Sequence, residues 1–226
     1  VEQPRKEWQL QFAITQAPPS ADVVLTLDRV VVRNGGLVVG PVSAQVTRGE
    51  RVALVGENGA GKTTLVEVLL GERPLASGRV SWGTRVSLGV LDQARGVIAG
   101  DRPLLDVVAA QLDETDAGAV RTLLAKFGLG AAQVGRTCDS LSLGERTRAA
   151  LAVLQGRAVN MVVLDEPTNH LDAAAIDQVQ QALERFTGTL LIVTHDRALR
   201  DALAPVTAWH VIRTGDHASV VAPTDG

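Results

Sequence analysis

The hydrophobic positions of this chain fall into two alternating rhythms. Short β-branched runs at 23–32 and 42–47, parted by Asn34-Gly35-Gly36, predict two antiparallel strands joined by a turn. A compact apolar run at 51–55, a glycine-rich loop and a helical segment at 62–70 stopped by Gly71 follow. Strand-like runs at 79–82 and 85–91 flank Gly83-Thr84. Helical spacing then covers 103–112 and 117–127, the second with Val120, Leu123, Leu124 and Phe127 on one face, and Gly128-Leu129-Gly130 closes it. A third helix is expected at 144–154, an apolar strand at 161–164, and a helix at 173–186 with Ile176, Val179, Leu183 and Phe186 on one side. A strand at 189–194 and a short helix at 198–203 complete the series. Apolar strands at 51–55, 161–164 and 189–194 that alternate with helices mark an α/β fold with a mostly parallel sheet covered on both faces. An antiparallel β part precedes it, and a small helical part is expected at about 100–156.

Composition narrows the class. With 226 residues, 46% hydrophobic and 21% charged, the chain has enough apolar surface for a real core, which excludes disorder as the dominant state. A net charge of −3 excludes a surface that is basic throughout, as whole-surface nucleic-acid binding requires. Cys138 is the single cysteine, so neither an internal disulfide nor a cysteine-rich zinc site can form, in keeping with a reducing, cytoplasmic compartment. No apolar run approaches the ~20 residues of a membrane span, so no membrane insertion is expected. The polar, proline-bearing residues 1–21, opening without methionine, read as a linker tail of a longer chain, with the folded domain at 22–226.

Four constellations carry chemistry. Gly56-Glu57-Asn58-Gly59-Ala60-Gly61-Lys62-Thr63 fits the spacing G-x-x-x-x-G-K-[ST] between an expected strand and an expected helix. Glycines let such a loop wrap a phosphate with its N–H groups, Lys62 bridges the β- and γ-phosphates, and Thr63 places a hydroxyl on Mg²⁺. The apolar strand ending in Asp165-Glu166 delivers two carboxylates at the same end of the sheet: Asp165 to hold Mg²⁺ and Glu166 to orient or deprotonate the attacking water. His195 leaves the strand at 189–194 at that edge, where an imidazole can hydrogen-bond a γ-phosphate. His170, His210 and His217 lack that placement and read as surface or packing residues. Gln93 ends a strand-like run, where an amide can reach Mg²⁺ or the water. Ser142, in Leu141-Ser142-Leu143-Gly144-Glu145, is placed to cap a helix whose first turn offers free N–H groups.

The order of these motifs, ending in Glu166-Pro167-Thr168-Asn169-His170-Leu171-Asp172 and Thr194-His195-Asp196-Arg197, resembles the nucleotide-binding domain of the ATP-binding cassette superfamily over residues 23–213. Within it the chain most resembles the ABC-F branch, whose members carry two cassettes in one chain and act on the ribosome. The resemblance implies ATP and Mg²⁺ as ligands and assigns Lys62, Thr63 and Thr64 to the phosphate loop. It gives Asp165 and Glu166 the metal and base roles, Gln93 the Q-loop, Asp172 the D-loop and His195 the switch. Ser142, Gly144 and Glu145 fall in the signature, which meets the nucleotide held by a second cassette. The short stretch between Gln93 and Leu141, without a long charged helical insertion, and the linker-like opening residues both resemble the C-terminal cassette. Contact with ribosome, rRNA or tRNA is implied for the full-length protein.

Two departures stand out. Leu143 replaces the usual signature glycine, as in antibiotic-resistance members of the branch, which implies ribosome protection and slow hydrolysis at the half-site it serves. Arg33 stands where an aromatic residue usually stacks on adenine, and the chain has no tyrosine; a guanidinium plane can stack, with weaker selection of ATP over GTP. Two other readings share the nucleotide chemistry: the ATPase subunit of a membrane transporter, and a regulatory module that binds nucleotide with little turnover.

Overall fold

The computed structural model of the protein describes residues 19–91, 96–169 and 171–222. Contacts group these into two units. One holds 96–157 and 171–186; the other holds 19–91, 158–169 and 187–222.

The larger unit is built on nine strands: β1 (Val23–Asn34), β2 (Leu37–Thr47), β3 (Arg51–Val55), β4 (Ser77–Trp82), β5 (Leu88–Leu91), β6 (Met161–Asp165), β7 (Thr189–Val193), β8 (Thr207–Thr214) and β9 (His217–Val221). They form one sheet in the order β4-β1-β2-β9-β8-β3-β7-β6-β5. The run β8-β3-β7-β6-β5 is parallel throughout. Strands β3, β6 and β7 are buried along nearly their whole length on both faces, so their residues are apolar without alternation. Their register decides the chemistry: Leu54 and Asp165 both pair with Val193, which brings the loops that follow the three strands to one edge. The core joins Val52, Leu54, Val163, Leu191 and Trp209 to Val30 and Val32 of β1 and to Leu65 and Val66 of a helix α1 (Lys62–Leu69).

The antiparallel entry is longer than the apolar runs at 23–32 and 42–47 suggest. Asn34 pairs with Leu37 across a tight turn in which Gly35 has φ 57, and β2 continues through Gly40-Pro41. Proline is tolerated there because the ladder is irregular opposite it, with register shifts on both sides of Val30. Conversely, the strand expected at 85–91 is confined to Leu88–Leu91, since Arg85 takes φ 60, outside any strand conformation. The sequence reading also passed over β8 and β9. Their signal is present: Trp209 and Val211 are buried, His210 and Ile212 exposed, and Gly215-Asp216 fills a two-residue turn.

The smaller unit is helical, with α2 (Leu104–Leu112), α3 (Ala117–Lys126), α4 (Ala131–Val134), α5 (Leu143–Gly156), α6 (Ala173–Glu184) and a 3₁₀ turn at Cys138–Ser140. The helices α2, α3 and α6 each pack on α5. Asp116 starts α3 by accepting the Gly118 N–H at 2.7 Å, and Asp172 starts α6 by accepting the Ala175 N–H at 2.8 Å. The four-residue α4 and the 3₁₀ turn carry no readable period, which is why spacing alone does not find them. In the larger unit a further short helix, α7 (Arg197–Ala202), begins at Asp196, which accepts the Leu199 N–H at 3.1 Å.

Candidate nucleotide site

The glycine-rich loop leaves β3 and enters α1 through Gly61, whose φ of 105 is one that L side chains avoid. It lies close on its neighbours. A Cβ on Gly56 would sit 2.3 Å from the Val211 carbonyl oxygen of β8, and one on Gly61 would sit 2.7 Å from Val39 Cγ2 of β2. Lys62 is buried at 6% exposure, and its ammonium donates to the carbonyls of Gly56 and Glu57, each at 2.9 Å. Burial holds its pKa below the ordinary lysine value, against the upward pull of Glu166 and Asp165. A cation that pays desolvation and bonds only to loop carbonyls is poised to take a stronger anionic partner.

Next to it the Thr63 hydroxyl donates to Asp165 Oδ2 at 2.9 Å. A hydroxyl and a carboxylate in contact are the hard oxygen donors that Mg²⁺ takes, so the residues present fit that ion. Asn34 at the hairpin turn donates from Nδ2 to Thr64 Oγ1 at 3.0 Å.

Glu166 is set by an unusual backbone. Its φ is 46, a left-handed conformation for a non-glycine residue, at a cost of about 1 kcal/mol or more. Local sequence over-determines it. Glu166-Pro167-Thr168-Asn169 closes a turn, with the Asn169 N–H donating to the Glu166 carbonyl at 3.2 Å and proline at the second position, while the Glu166 N–H donates to the Val193 carbonyl at 2.8 Å. The carboxylate is 12% exposed and lies 3.3 Å from His195 Nε2. Burial pushes the Glu166 carboxyl above its ordinary value of 4.5, with Asp165 adding to the rise and the charge and backbone N–H of His195, together with Lys62, opposing it.

Lys62, Thr63, Asp165, Glu166 and His195 line one cavity of about 550 Å³. Asn58, Gly59, Gly61 and Thr64 line it too, joined by residues that sequence reasoning did not single out, namely Leu37, Thr168 and Val193, and by Asn34, read there only as a turn residue. Arg33 lies on β1 across from Val38 and is exposed; it is not among the cavity's lining residues. Gln93 and His170 lie outside the described residues.

In the helical unit Ser142 caps α5, accepting the Glu145 N–H at 3.2 Å while its own N–H donates to Glu145 Oε2 at 2.8 Å. Gln133 donates to the other carboxylate oxygen of Glu145 at 3.3 Å, and Arg136 lies 3.6 Å away. Burial pushes the Glu145 carboxyl up, but these donors together outweigh it and hold it below the ordinary value. Gly144 sits where α5 meets α6, a Cβ there lying 3.1 Å from Ala175 Cβ. Leu143 is the first helical residue and is half-buried.

The model of the ABC transporter family matches residues 39–169, more than half of the chain. The chain belongs to the ATP-binding cassette family. Domains of this family bind ATP, generally with Mg²⁺, hydrolyse it, and work in pairs. The chain is 34% identical over 196 residues to the ATP-binding protein Uup of Escherichia coli strain K12, covering 84% of this chain and 31% of that protein. It is 31% identical over 199 residues to the energy-dependent translational throttle protein EttA of Escherichia coli O6:H1, covering 86% and 36%. A further relative is the probable ATP-binding cassette sub-family F member 3 homolog of Encephalitozoon cuniculi, 30% identical over 195 residues, covering 85% and 34%. The chain thus spans about a third of the length of the curated relatives it matches. In fold it is similar to cbiO1 from Clostridium perfringens, part of the ABC transporter complex cbiONQ, with a TM-score of 0.66 at 20% identity over 87% of each chain. Among the described residues no helix is long and apolar enough to cross a membrane.

Proposed function

We propose that this cassette hydrolyses ATP to ADP and phosphate as the C-terminal half of an ABC-F protein that acts on the ribosome. In this reading residues 1–21 end a linker, 22–226 are the ATPase domain, and 100–156 its helical part. The hydrolytic role rests on one observation above all: the Thr63–Asp165 contact at 2.9 Å and the Glu166–His195 contact at 3.3 Å open into the same cavity as buried Lys62.

Residues 56–63 wrap the β-phosphate with backbone N–H groups, and Thr64 supports them. Lys62 exchanges its two loop carbonyls for phosphate oxygens. Thr63 and Asp165 hold Mg²⁺, which when bound neutralises charge building on the transferred phosphoryl group. Glu166 takes a proton from the attacking water, and His195 keeps that carboxylate oriented while its imidazole reports the γ-phosphate. Gln93 contacts the metal or the water, and Arg33 offers a guanidinium plane to the base. Ser142, Gly144 and Glu145 belong to the signature that meets the nucleotide bound by the second cassette, and Asp172 stands at the junction between the two. Closure follows ATP because the γ-phosphate is held from both sides, and cleavage removes that differential contact.

Only deprotonated Glu166 can act as base, and burial raises its pKa. The specificity constant kcat/KM, which reports the ligand-free protein, should therefore fall as pH drops through a value above the ordinary carboxylate range. A pH profile of kcat/KM for phosphate release shows this as an acid limb displaced upward, and a profile in which Glu166→Gln keeps the same limb and rate removes Glu166 from the role.

The ribosomal reading is supported by the run Glu166-Pro167-Thr168-Asn169-His170-Leu171-Asp172 and by likeness to a protein named for throttling translation. Leu143 in the signature favours ribosome protection against a drug as the biological outcome, in the cytoplasm. The test is sedimentation of the protein that carries this cassette, with Glu166→Gln to stall release. It should pellet with ribosomes when ATP is present and leave them when ATP is withheld. Partition into membranes instead would favour a transporter subunit, and binding of ATP without any turnover by the wild type would favour a regulatory module.

A further inference from the structure

The hairpin of β8 and β9 has no part in the roles above, yet it carries a cation against the phosphate loop. Arg213 donates from its guanidinium NH1 to the Gly59 carbonyl at 3.1 Å, and from Nε to the Gly215 carbonyl at 2.8 Å. The second bond fixes the guanidinium in the hairpin's own turn, so the first acts as a short, stiff tether across 154 positions of sequence.

Besides the bonds from Lys62 to the Gly56 and Glu57 carbonyls, the loop is held at three places. Its start lies flat on β8, where Val211 leaves no room for a Cβ on Gly56; its end packs on Val39 and Leu37 of β2. Against β8 and β2 those supports are steric. The apex between them is a turn closed by the Ala60 N–H donating to the Glu57 carbonyl at 3.2 Å, with Gly59 at φ 75. Glycine in that conformation puts little steric resistance in the way of rotating the peptide that follows it. Rotation would carry the Gly59 carbonyl, a partial negative charge, toward the space an anion would fill, where a phosphate-binding loop needs N–H groups. The Ala60 N–H bond resists this from one end of that peptide, and Arg213 from the other with a charge-assisted hydrogen bond, which is stronger than a neutral one.

We propose that Arg213 is a positioning residue for nucleotide phosphates: it acts through Gly59, holding the loop's apex with its carbonyl turned away from the anion. This rests on the reading of residues 56–63 as the triphosphate site. Arg213 sits on the exposed side of the loop and touches no reacting atom, so its effect belongs to binding.

The test titrates ATP and ADP into the 226-residue chain and follows thermal unfolding of the same samples. Arg213→Leu should raise the dissociation constants of ATP and ADP by the same factor, about tenfold or about 1.4 kcal/mol, because the apex holds a phosphate that both nucleotides carry. Melting of the ligand-free chain should stay within about 2 °C of wild type, since only two exposed hydrogen bonds are removed. Arg213→Lys should recover a large part of the affinity by offering one donor to the same carbonyl. The inference is overturned if Arg213→Leu binds both nucleotides within twofold of wild type, or if Arg213→Lys is no better than Arg213→Leu. It is overturned equally if lost affinity appears only with a matching fall in melting temperature. If the wild type binds neither ATP nor ADP, the reading of the loop falls first, and the inference with it.

Discussion

Glu166→Gln should slow phosphate release by at least about 100-fold, the range that loss of a general base produces, while ATP affinity stays within threefold of wild type. The exchange keeps the side chain's length and volume and leaves the turn through Asn169 and the bond to Val193 in place. It removes two things: the only form of residue 166 that can accept a proton from water, and the charge that faces His195 Nε2 at 3.3 Å. Binding is expected to survive because Lys62, Thr63 and the loop amides hold the phosphates directly, and Asp165 still favours the charged form of Lys62. Fold stability should change little, since the carboxylate lost is one that burial already disfavours, and the backbone at φ 46 is held by the turn and the Val193 bond, which stay. Both quantities are best measured in the protein in which this cassette meets its partner, by steady-state phosphate release and by equilibrium nucleotide titration. Turnover at the wild-type rate would take residue 166 out of the base role. Weak ATP binding by the variant would instead make Glu166 part of the ground-state grip.

This site was more legible in the sequence than the fold around it, for a physical reason. Strands β3, β6 and β7 are buried on both faces, so each appears as an unbroken apolar run, and each is followed at once by a chemical signal: the glycine-rich loop, Asp165-Glu166, His195. Because all three are parallel neighbours, placing them in one sheet suffices to bring their C-terminal ends together. No such shortcut exists for β8 and β9. Their alternation is regular, but nothing in it says that β8 runs beside β3 or that Val211 and Arg213 touch the loop 154 or so positions earlier. Asn34 shows a different gap. Before two glycines it reads as a turn residue, and it is one, but the turn also sets its amide on Thr64. Arg33 and Asn34 are adjacent in a strand, so their side chains leave on opposite sides, and it is Asn34 that lines the cavity.

Gly56→Ala should be a strongly damaging single-methyl change, lowering unfolding free energy by about 2–4 kcal/mol and weakening ATP binding at least tenfold. The added Cβ would stand 2.3 Å from the Val211 carbonyl oxygen, and that oxygen cannot retreat freely. Residue 211 belongs to β8, which is laddered to β3 on one side, with Val55 opposite His210, and to β9 on the other, with Val211 opposite Val220. Either the β3–β8 ladder opens at its end or the phosphate loop lifts off β8. The first loses buried backbone hydrogen bonds. The second carries the Gly56 carbonyl away from Lys62 Nζ, which it meets at 2.9 Å, and spoils the curvature that aims the loop's N–H groups. Two glycines serve as controls. Gly36 has open space where a Cβ would go and an ordinary φ, so Gly36→Ala should be neutral within about 0.5 kcal/mol. Gly71 also has open space but a φ of 75, so Gly71→Ala should cost about 1 kcal/mol from backbone conformation alone, with no effect on nucleotide. Chemical denaturation of the three variants, with ATP titration of each, separates crowding at the loop from the general cost of replacing glycine. Equal midpoints for Gly56→Ala and Gly36→Ala would mean that the phosphate loop is not seated on β8, and Arg213 would then have nothing to hold in place.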